Sequence, residues 1–375
     1  VGEAFNRDGV AIIEAGTGTG KSMAYLLPAI AWAIKNQEKV VVSTGTINLQ
    51  EQLVEKDLPL LHKATGIEFE AALLKGRNNY LCQRKAAYLK KNPDFLDVGE
   101  KAQQLEEIQA WIHTTREGSI GDLPFHPDTD VWERVMSEAD NCLRARCPFY
   151  QKCFFYNARR RAARAHLLVV NHHLLLSDLA IRAETQNYSA TAVLPPFQRI
   201  IFDEAHNLEE VATGHFGARA SRRALQFAMR RLVNPKNAQG LFMFLAGKIH
   251  QGIFKLPPAE QEDLLLKLMR ELPQQHMDVT GAMDIDHRVA NTSLNEALEI
   301  KRRITRDDLE TEFWLRDIEA PLRQVVTTTR PYLEGLRLVS RKLARFLEDA
   351  EPETASPILE FQSSLNKVDF AISRL

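Results

Sequence analysis

The chain is poor in cysteine, with four in 375 residues, which is too few for the disulfide framework of a small secreted domain. Cys82, Cys142, Cys147 and Cys153 therefore read as metal ligands or incidental core residues. No run of about 18 apolar residues occurs, which excludes a transmembrane helix and any membrane partner read from one. The net charge is only −1, so no global basic excess marks the chain for nucleic acid, and a basic surface has to be local. No internal repeat or low-complexity tract is found, and no signal peptide is visible in this stretch. The first residue is Val1, not Met, and the expectation is a piece of a longer cytoplasmic protein. What is present, 45% hydrophobic and 26% charged residues, is the composition of a soluble globular protein. Its length calls for two or three units.

The stretch from Ala11 to Ser22 organises the chain. An apolar run, Val10 to Ala15, reads as a buried strand and leads into Gly16-Thr17-Gly18-Thr19-Gly20-Lys21-Ser22, where Gly-Lys-Ser opens a helix. This is the layout of a P-loop, whose backbone N–H groups cradle phosphates while a lysine reaches the terminal ones. The positive end of the following helix adds to the same anion site. Ala15 stands where the simple pattern G-x-x-x-x-G-K-[ST] has glycine.

Downstream, Lys21 to Lys35 reads as a helix, Lys39 to Ser43 as a second buried strand, Thr46 to Val54 as a helix and Phe69 to Leu74 as a third strand. Continuous apolar strands alternating with helices predict an α/β fold with a parallel sheet covered on both faces. The alternation breaks from Gly76 to Ala165, which reads as an insertion with its own organising centre and contains all four cysteines. Strands resume at His166 to Asn171 and at Arg199 to Phe202, the latter running into Asp203-Glu204-Ala205-His206. From about Gly214 the pattern is helical to the end, with Pro331 and Pro257-Pro258 as separators and Ser356-Pro357 as the start of a last helix.

An acidic pair at the end of a buried strand, well downstream of a P-loop, suits nucleotide hydrolysis. Asp203 would hold Mg²⁺ opposite the Ser22 hydroxyl, Glu204 would polarise the attacking water, and Lys21 would neutralise charge on the γ-phosphoryl of ATP. Three segments, Glu14 to Ser22, Ser43 to Leu53 and Asp203 to His206, resemble motifs I, Ia and II of superfamily 2 helicases, where alanine at the position of Ala15 is ordinary. More narrowly, Lys75-Gly-Arg-Asn-Asn-Tyr-Leu-Cys82 and Val169-Val-Asn-His-His-Leu-Leu175 resemble the XPD/DinG group, in particular its bacterial DinG and YoaA type.

The cysteine spacing, C-x59-C-x4-C-x5-C, suits zinc or an iron–sulfur cluster, although no paired C-x2-C knuckle is present. The resemblance implies a [4Fe–4S] cluster on Cys82, Cys142, Cys147 and Cys153. It also implies DNA-backbone contacts at Thr44, Gly45 and Thr46, and a coupling role for His206. A RecA-like motor domain over 1–75 and 166–212, the cluster insertion over 76–165 and a helical arch-like domain over 213–375 follow from the same likeness. The implied partner is single-stranded or forked DNA, with 5′→3′ translocation in DNA repair or replication. Motifs III to VI and the second RecA-like domain are not visible before Leu375, so the chain is expected to be an incomplete motor.

Two further stretches are read from the residues alone. His172 and His173 are expected to pack or cap a loop. The aromatic and basic run Phe154 to Arg164 fits either single-strand binding or a solvated helix face. Arg222-Arg223, Arg230-Arg231 and Lys301-Arg302-Arg303 read as exposed helix faces. Two rival functions are a nucleic-acid-binding redox sensor with a vestigial ATPase, and an ATPase that remodels DNA or RNA–DNA hybrids without unwinding. Intact Lys21, Asp203 and Glu204 speak against the first; nothing in the sequence separates the second from a helicase.

Overall fold

The computed structural model describes residues 1–16, 18–91, 100–216, 221–233, 240–292, 307–347 and 351–373; Thr17, the 301–303 basic run and Leu375 lie outside them. The chain divides into two compact units, residues 1–138 with 144–217 and residues 139–143 with 218–375.

In the first unit, helices α1 (Gly2–Asn6) and α2 (Lys21–Asn36) precede strand β1 (Val40–Thr44). Helices α3 (Ile47–Gln52) and α4 (Leu58–Thr65) follow, joined by a π turn, and then β2 (Ala71–Leu73). Next come α5 (Gln83–Lys91), α6 (Glu100–Trp111), α7 (Thr129–Val135) and α8 (Phe154–Arg164). Strand β3 (Leu167–Asn171), α9 (His172–Thr185), β4 (Arg199–Phe202) and α10 (Leu208–Phe216) complete it. The sheet order is β2-β3-β1-β4 and every pairing is parallel, Val41 lying opposite Leu168 on one side and Ile200 on the other. The α/β class and parallel sheet are as the apolar strands imply.

Both faces of the sheet are covered, which is why the strands read as unbroken apolar runs. Val40, Val42, Leu167 and Val169 point into one core with Leu26, Ile30 and Leu61. Val41, Leu168 and Val170 point to the other face and share a core with Tyr80, Leu81, Ile108, Trp132, Phe154 and Phe155. The 76–165 stretch therefore shares its apolar centre with the sheet.

Residues 10–15, expected as a strand, carry no regular structure, and Val10 and Ile12 are 93% and 96% exposed. An apolar run becomes a strand only where a sheet edge takes up its N–H and C=O groups. Here the run pairs with no strand among the described residues, although β4 is an edge strand, so its apolar pattern alone does not make it one. The connection into β4 is fixed by a buried ion pair: Arg182 Nε donates to Asp178 Oδ2 at 2.5 Å, and the guanidinium also donates to the carbonyls of Tyr188, Ala190 and Leu194. Asp178 Oδ1 accepts from the Leu194 N–H, so both buried charges are met.

The second unit is helical: α11 (Arg222–Arg230), α12 (Leu241–His250), α13 (Pro258–Leu266), α14 (Leu272–Thr292), α15 (Ala320–Ala344) and α16 (Pro352–Ile372). They share one core that includes Leu245, Leu268, Leu336, Val339 and Phe361. Pro331 lies inside α15 rather than between helices, and α16 begins at Pro352, with Pro357 inside it. An interior proline costs about 3 kcal/mol, but the buried stripe Val325, Tyr332, Leu333 and Leu336 on the same helix outweighs it. No helix of the described residues is long and apolar enough to cross a membrane.

Inside this core His276 Nδ1 and the Tyr332 hydroxyl are hydrogen-bonded at 3.1 Å, and burial pushes the imidazole pKa down to about 4. The ring is thus neutral when folded, while in the unfolded chain it takes up a proton below about pH 6.5. Stability of this unit should be complete above that pH. It should fall by up to about 3 kcal/mol as pH drops to about 4. Amide exchange in α14 and α15 measures this, and His276→Gln should flatten the dependence.

Candidate active site

The C-terminal ends of β1, β3 and β4 lie side by side, because the parallel register pairs Ser43 with Val170 and with Phe202. The Asp203 N–H continues this ladder by donating to the Ser43 carbonyl at 2.8 Å. The turn after β4 thereby meets the loop after β1.

The start of α2 reaches this edge through Lys21. Gly18 and Gly20 have φ of +74° and +79°, a conformation that suits glycine, and open space lies where a Cβ would stand on either. The Thr19 hydroxyl closes the loop by donating to the Gly16 carbonyl at 2.9 Å. Ala15, Gly16, Gly18, Thr19 and Gly20 are exposed; Thr17 lies outside the described residues. Gly20 is the residue before the helix, so the unpaired N–H groups of the first turn, Lys21 and Ser22 included, face outward beside it.

Lys21 Nζ donates to Glu204 Oε1 at 3.4 Å. Both side chains are about one-third exposed, which makes the pair worth no more than about 1 kcal/mol, so a bound polyphosphate could displace it. Glu204 has φ of +52°, a left-handed conformation that costs a non-glycine residue about 1–2 kcal/mol. Strain of that kind collects at functional sites. Glu204 Oε2 also faces the exposed His206 Nδ1 at 3.3 Å.

Burial raises the Asp203 carboxyl above its ordinary range; the Tyr25 hydroxyl and Lys21 oppose the rise, while the neighbouring Glu204 charge adds to it. Tyr25, buried on α2, has its phenol pushed far up by burial and by the Asp203 charge, and its hydroxyl also lies beside Ser22. A carboxylate held in such surroundings is stabilised by a cation. Tyr25 escapes a sequence reading because it falls on the apolar stripe of α2, where an aromatic reads as core.

Behind the acidic pair, Ser43 Oγ and His172 Nδ1 are hydrogen-bonded at 2.7 Å. His172 is buried, its pKa lowered chiefly by that burial, and its Nε2 has no partner. This is the packing role expected of it. Thr44 is fully buried, and Thr46 is exposed and caps α3 by accepting from the Leu49 N–H at 3.3 Å. A Cβ on Gly45 would come within 3.2 Å of Asn207 Nδ2, so this loop packs directly on the turn that follows His206.

All four cysteines are half-buried. Gln83 Nε2 donates to the Lys152 carbonyl at 3.1 Å, which brings the residues next to Cys82 and Cys153 together. Successive turns, Tyr150 N–H to Cys147 O and Cys153 N–H to Tyr150 O, join Cys147 to Cys153. Cys142 lies in the 139–143 segment of the second unit. Among the described residues no three His, Cys, Asp or Glu side chains are gathered as a group that could hold a metal ion.

The aromatic and basic run 154–164 is α8, and its first two aromatics face inward. Phe154 and Phe155 are buried, and Arg77 and Arg159 lie over the Phe155 ring at 4.4 and 5.7 Å. These two rings are core side chains and not a stacking platform for bases.

Residues 3–108 match the family described as DEAD/DEAH box helicase. The chain is 37% identical over 226 residues to the ATP-dependent DNA helicase YoaA of Haemophilus influenzae, a match covering 60% of this chain and 34% of that protein. It is 38% identical over 261 residues to the ATP-dependent helicase DinG of Mycobacterium tuberculosis, covering 64% and 38%. With the 3′-5′ exonuclease DinG of Bacillus subtilis it shares 34% identity over 244 residues, covering 64% and 25%. The matches span between 25% and 38% of the length of these curated relatives. Residues 3–108 thus resemble a DEAD/DEAH box helicase domain, and the chain is similar to the helicases named DinG and YoaA.

Proposed function

We propose that this chain, as the bearer of a DEAD/DEAH box helicase domain similar to DinG and YoaA, is the ATP-hydrolysing front part of a DNA helicase. The observation that carries the reading is the meeting of Lys21 with Glu204 at 3.4 Å across 183 residues of sequence. This contact supports reading the glycine-rich loop and the strand-end carboxylate pair as parts of one site. The glycines at φ of +74° and +79° and the helix N-terminus support phosphate binding at Ala15 to Ser22. Lys21 would leave Glu204 for the terminal phosphate, and Glu204, released, would orient the attacking water. Asp203 and Ser22 are the residues that would hold Mg²⁺. That ion would neutralise charge developing on the transferred phosphoryl group. The partly desolvated Asp203 carboxyl beside Tyr25 and Ser22 fits such a role.

The rest of the assignment follows the same likeness. Residues 1–75 and 166–212 would form the first RecA-like motor domain, and 76–165 a cluster-bearing insertion. Residues 213–375 would be an arch-like helical domain, and a second motor domain would lie outside the chain. Thr44, Gly45 and Thr46 would engage the backbone of single-stranded or forked DNA, and exposed Thr46 is the best placed of the three. His206, beside Glu204, would couple hydrolysis to DNA movement, 5′→3′ and in a cytoplasmic repair or replication role by resemblance.

Cys82, Cys142, Cys147 and Cys153 would carry a [4Fe–4S] cluster. The Gln83–Lys152 contact and the turns linking Cys147 to Cys153 support this for three of them. The side chains as placed do not form a ready metal site, so no step of hydrolysis is routed through the cluster.

Two measurements test these readings. In the full-length protein, single-stranded DNA should stimulate ATP hydrolysis, and Lys21→Ala should lower that rate by about 100-fold or more. Absence of stimulation in the wild type would remove the motor reading. An anaerobic preparation should be brown and lose its visible absorbance in Cys147→Ser; a colourless protein with stoichiometric zinc would refute the cluster.

A further inference from the structure

Lys75 is a buried cation outside the nucleotide site, 7% exposed at the end of β2. Its Nζ donates to Glu51 Oε1 at 3.2 Å and to Ser119 Oγ at 2.9 Å. Its backbone N–H donates to the hydroxyl of Tyr80, itself buried, at 3.1 Å. Each partner belongs to a different piece of the first unit. Glu51 lies on α3, the helix whose first turn is capped by Thr46. Ser119 opens a tight turn, Ile120–Asp122, in the cysteine-bearing segment.

The two pieces approach closely at this lysine. A Cβ on Gly121 would stand 3.0 Å from Glu51 Oε1 and 3.1 Å from Lys75 Nζ, tighter than ordinary contacts allow. The turn is equally constrained on its other side. Gly118 has φ of +61°, and a Cβ there would lie 2.2 Å from the Phe154 ring, so the backbone rests flat on the residue that follows Cys153. The Gly118 carbonyl accepts from the N–H of Leu81, the residue before Cys82, at 2.8 Å. Tyr80 and Ser119 also pair across the same short bridge. A continuous set of close contacts therefore runs from Thr46 through Glu51, Lys75 and Ser119 to the neighbours of Cys82 and Cys153.

A buried ammonium placed this way is poorly suited to stability alone. A charge taken out of water is expensive, and an apolar side chain of similar volume often serves as well or better. Its effect is directional: rotatable donors aimed at two separate elements hold those elements in one relative position. We propose that Lys75 is a positioning residue that transmits the state of the Thr44–Thr46 loop to the turn supporting Cys82 and Cys153. This rests on the reading that the loop engages DNA. On that reading, a shift of α3 when DNA binds is passed through one shared cation to the cysteine-bearing segment.

The test is amide hydrogen exchange in the full-length protein with and without a short oligothymidylate. In the wild type, DNA should slow exchange in both Ile47–Gln52 and Ile120–Asp122. In Lys75→Met the slowing should persist in Ile47–Gln52 and shrink by about fivefold or more in Ile120–Asp122, the size of a modest coupling between sites. Lys75→Arg, which keeps the charge and donors, should restore part of it. A merely structural lysine would instead speed exchange throughout the unit, with or without DNA. An unchanged DNA response at Ile120–Asp122 in Lys75→Met overturns the proposal while leaving the helicase reading intact. No DNA response at Ile47–Gln52 in the wild type overturns the DNA role of the loop and the coupling with it. Should Lys75→Met fail to fold, Glu51→Ala removes the α3 arm of the contact and carries the same test.

Discussion

The parallel register of β1 is the constraint on which the rest depends. With β3 on one edge and β4 on the other, its final residues stand beside those of both neighbours. Ser43 then serves two elements at once, its carbonyl receiving the Asp203 N–H and its hydroxyl meeting His172. A one-residue slip in a strand buried on both faces would exchange the residues of the two cores and carry Asp203 away from Ser43. The apolar residues of both cores, Val40 and Val42 on one side and Val41 on the other, thus hold the acidic pair where Lys21 reaches it.

The state of the site follows from modest energies. The Lys21–Glu204 pair is one-third exposed and weak, whereas the left-handed backbone at Glu204 is maintained by its surroundings at a cost of similar size. Neither holds the site firmly in its present arrangement. On the proposed reading, a phosphate that took Lys21 would free Glu204 at little expense, a balance suited to a group that changes partners in each cycle.

Much of the fold is legible in the sequence because sheet burial leaves a strong mark. Val40–Thr44, Leu167–Asn171 and Arg199–Phe202 stand out as apolar runs, and the helix from Lys21 shows its stripe. Val10 to Ala15 carries the same mark without forming a strand, since composition cannot show whether a sheet edge is available. Pro331 reads as a separator and Pro357 as the first turn of a helix, yet both lie inside longer helices, where packing on one face overrides the local cost. In the site, Lys21, Asp203 and Glu204 are legible because their motifs are local. Lys75 is not, because its partner Ser119 is remote in the chain, and neither is Tyr25, which falls on the apolar stripe of its helix. Phe154 and Phe155 show the converse: next to arginines they suggest a nucleic-acid surface, and the fold buries them.

The exchange of Lys21 between carboxylate and phosphate is the central claim, and Glu204→Gln in the full-length protein tests it most directly. Binding of ATP and its hydrolysis with saturating single-stranded DNA would be measured on the same preparation. Loss of the competing charge should tighten ATP binding by about threefold or more, since a one-third-exposed pair is worth up to about 1 kcal/mol. Hydrolysis should fall by about 100-fold or more with the water-orienting group gone. Wild-type hydrolysis in Glu204→Gln, or ATP binding weakened rather than tightened, would contradict the account.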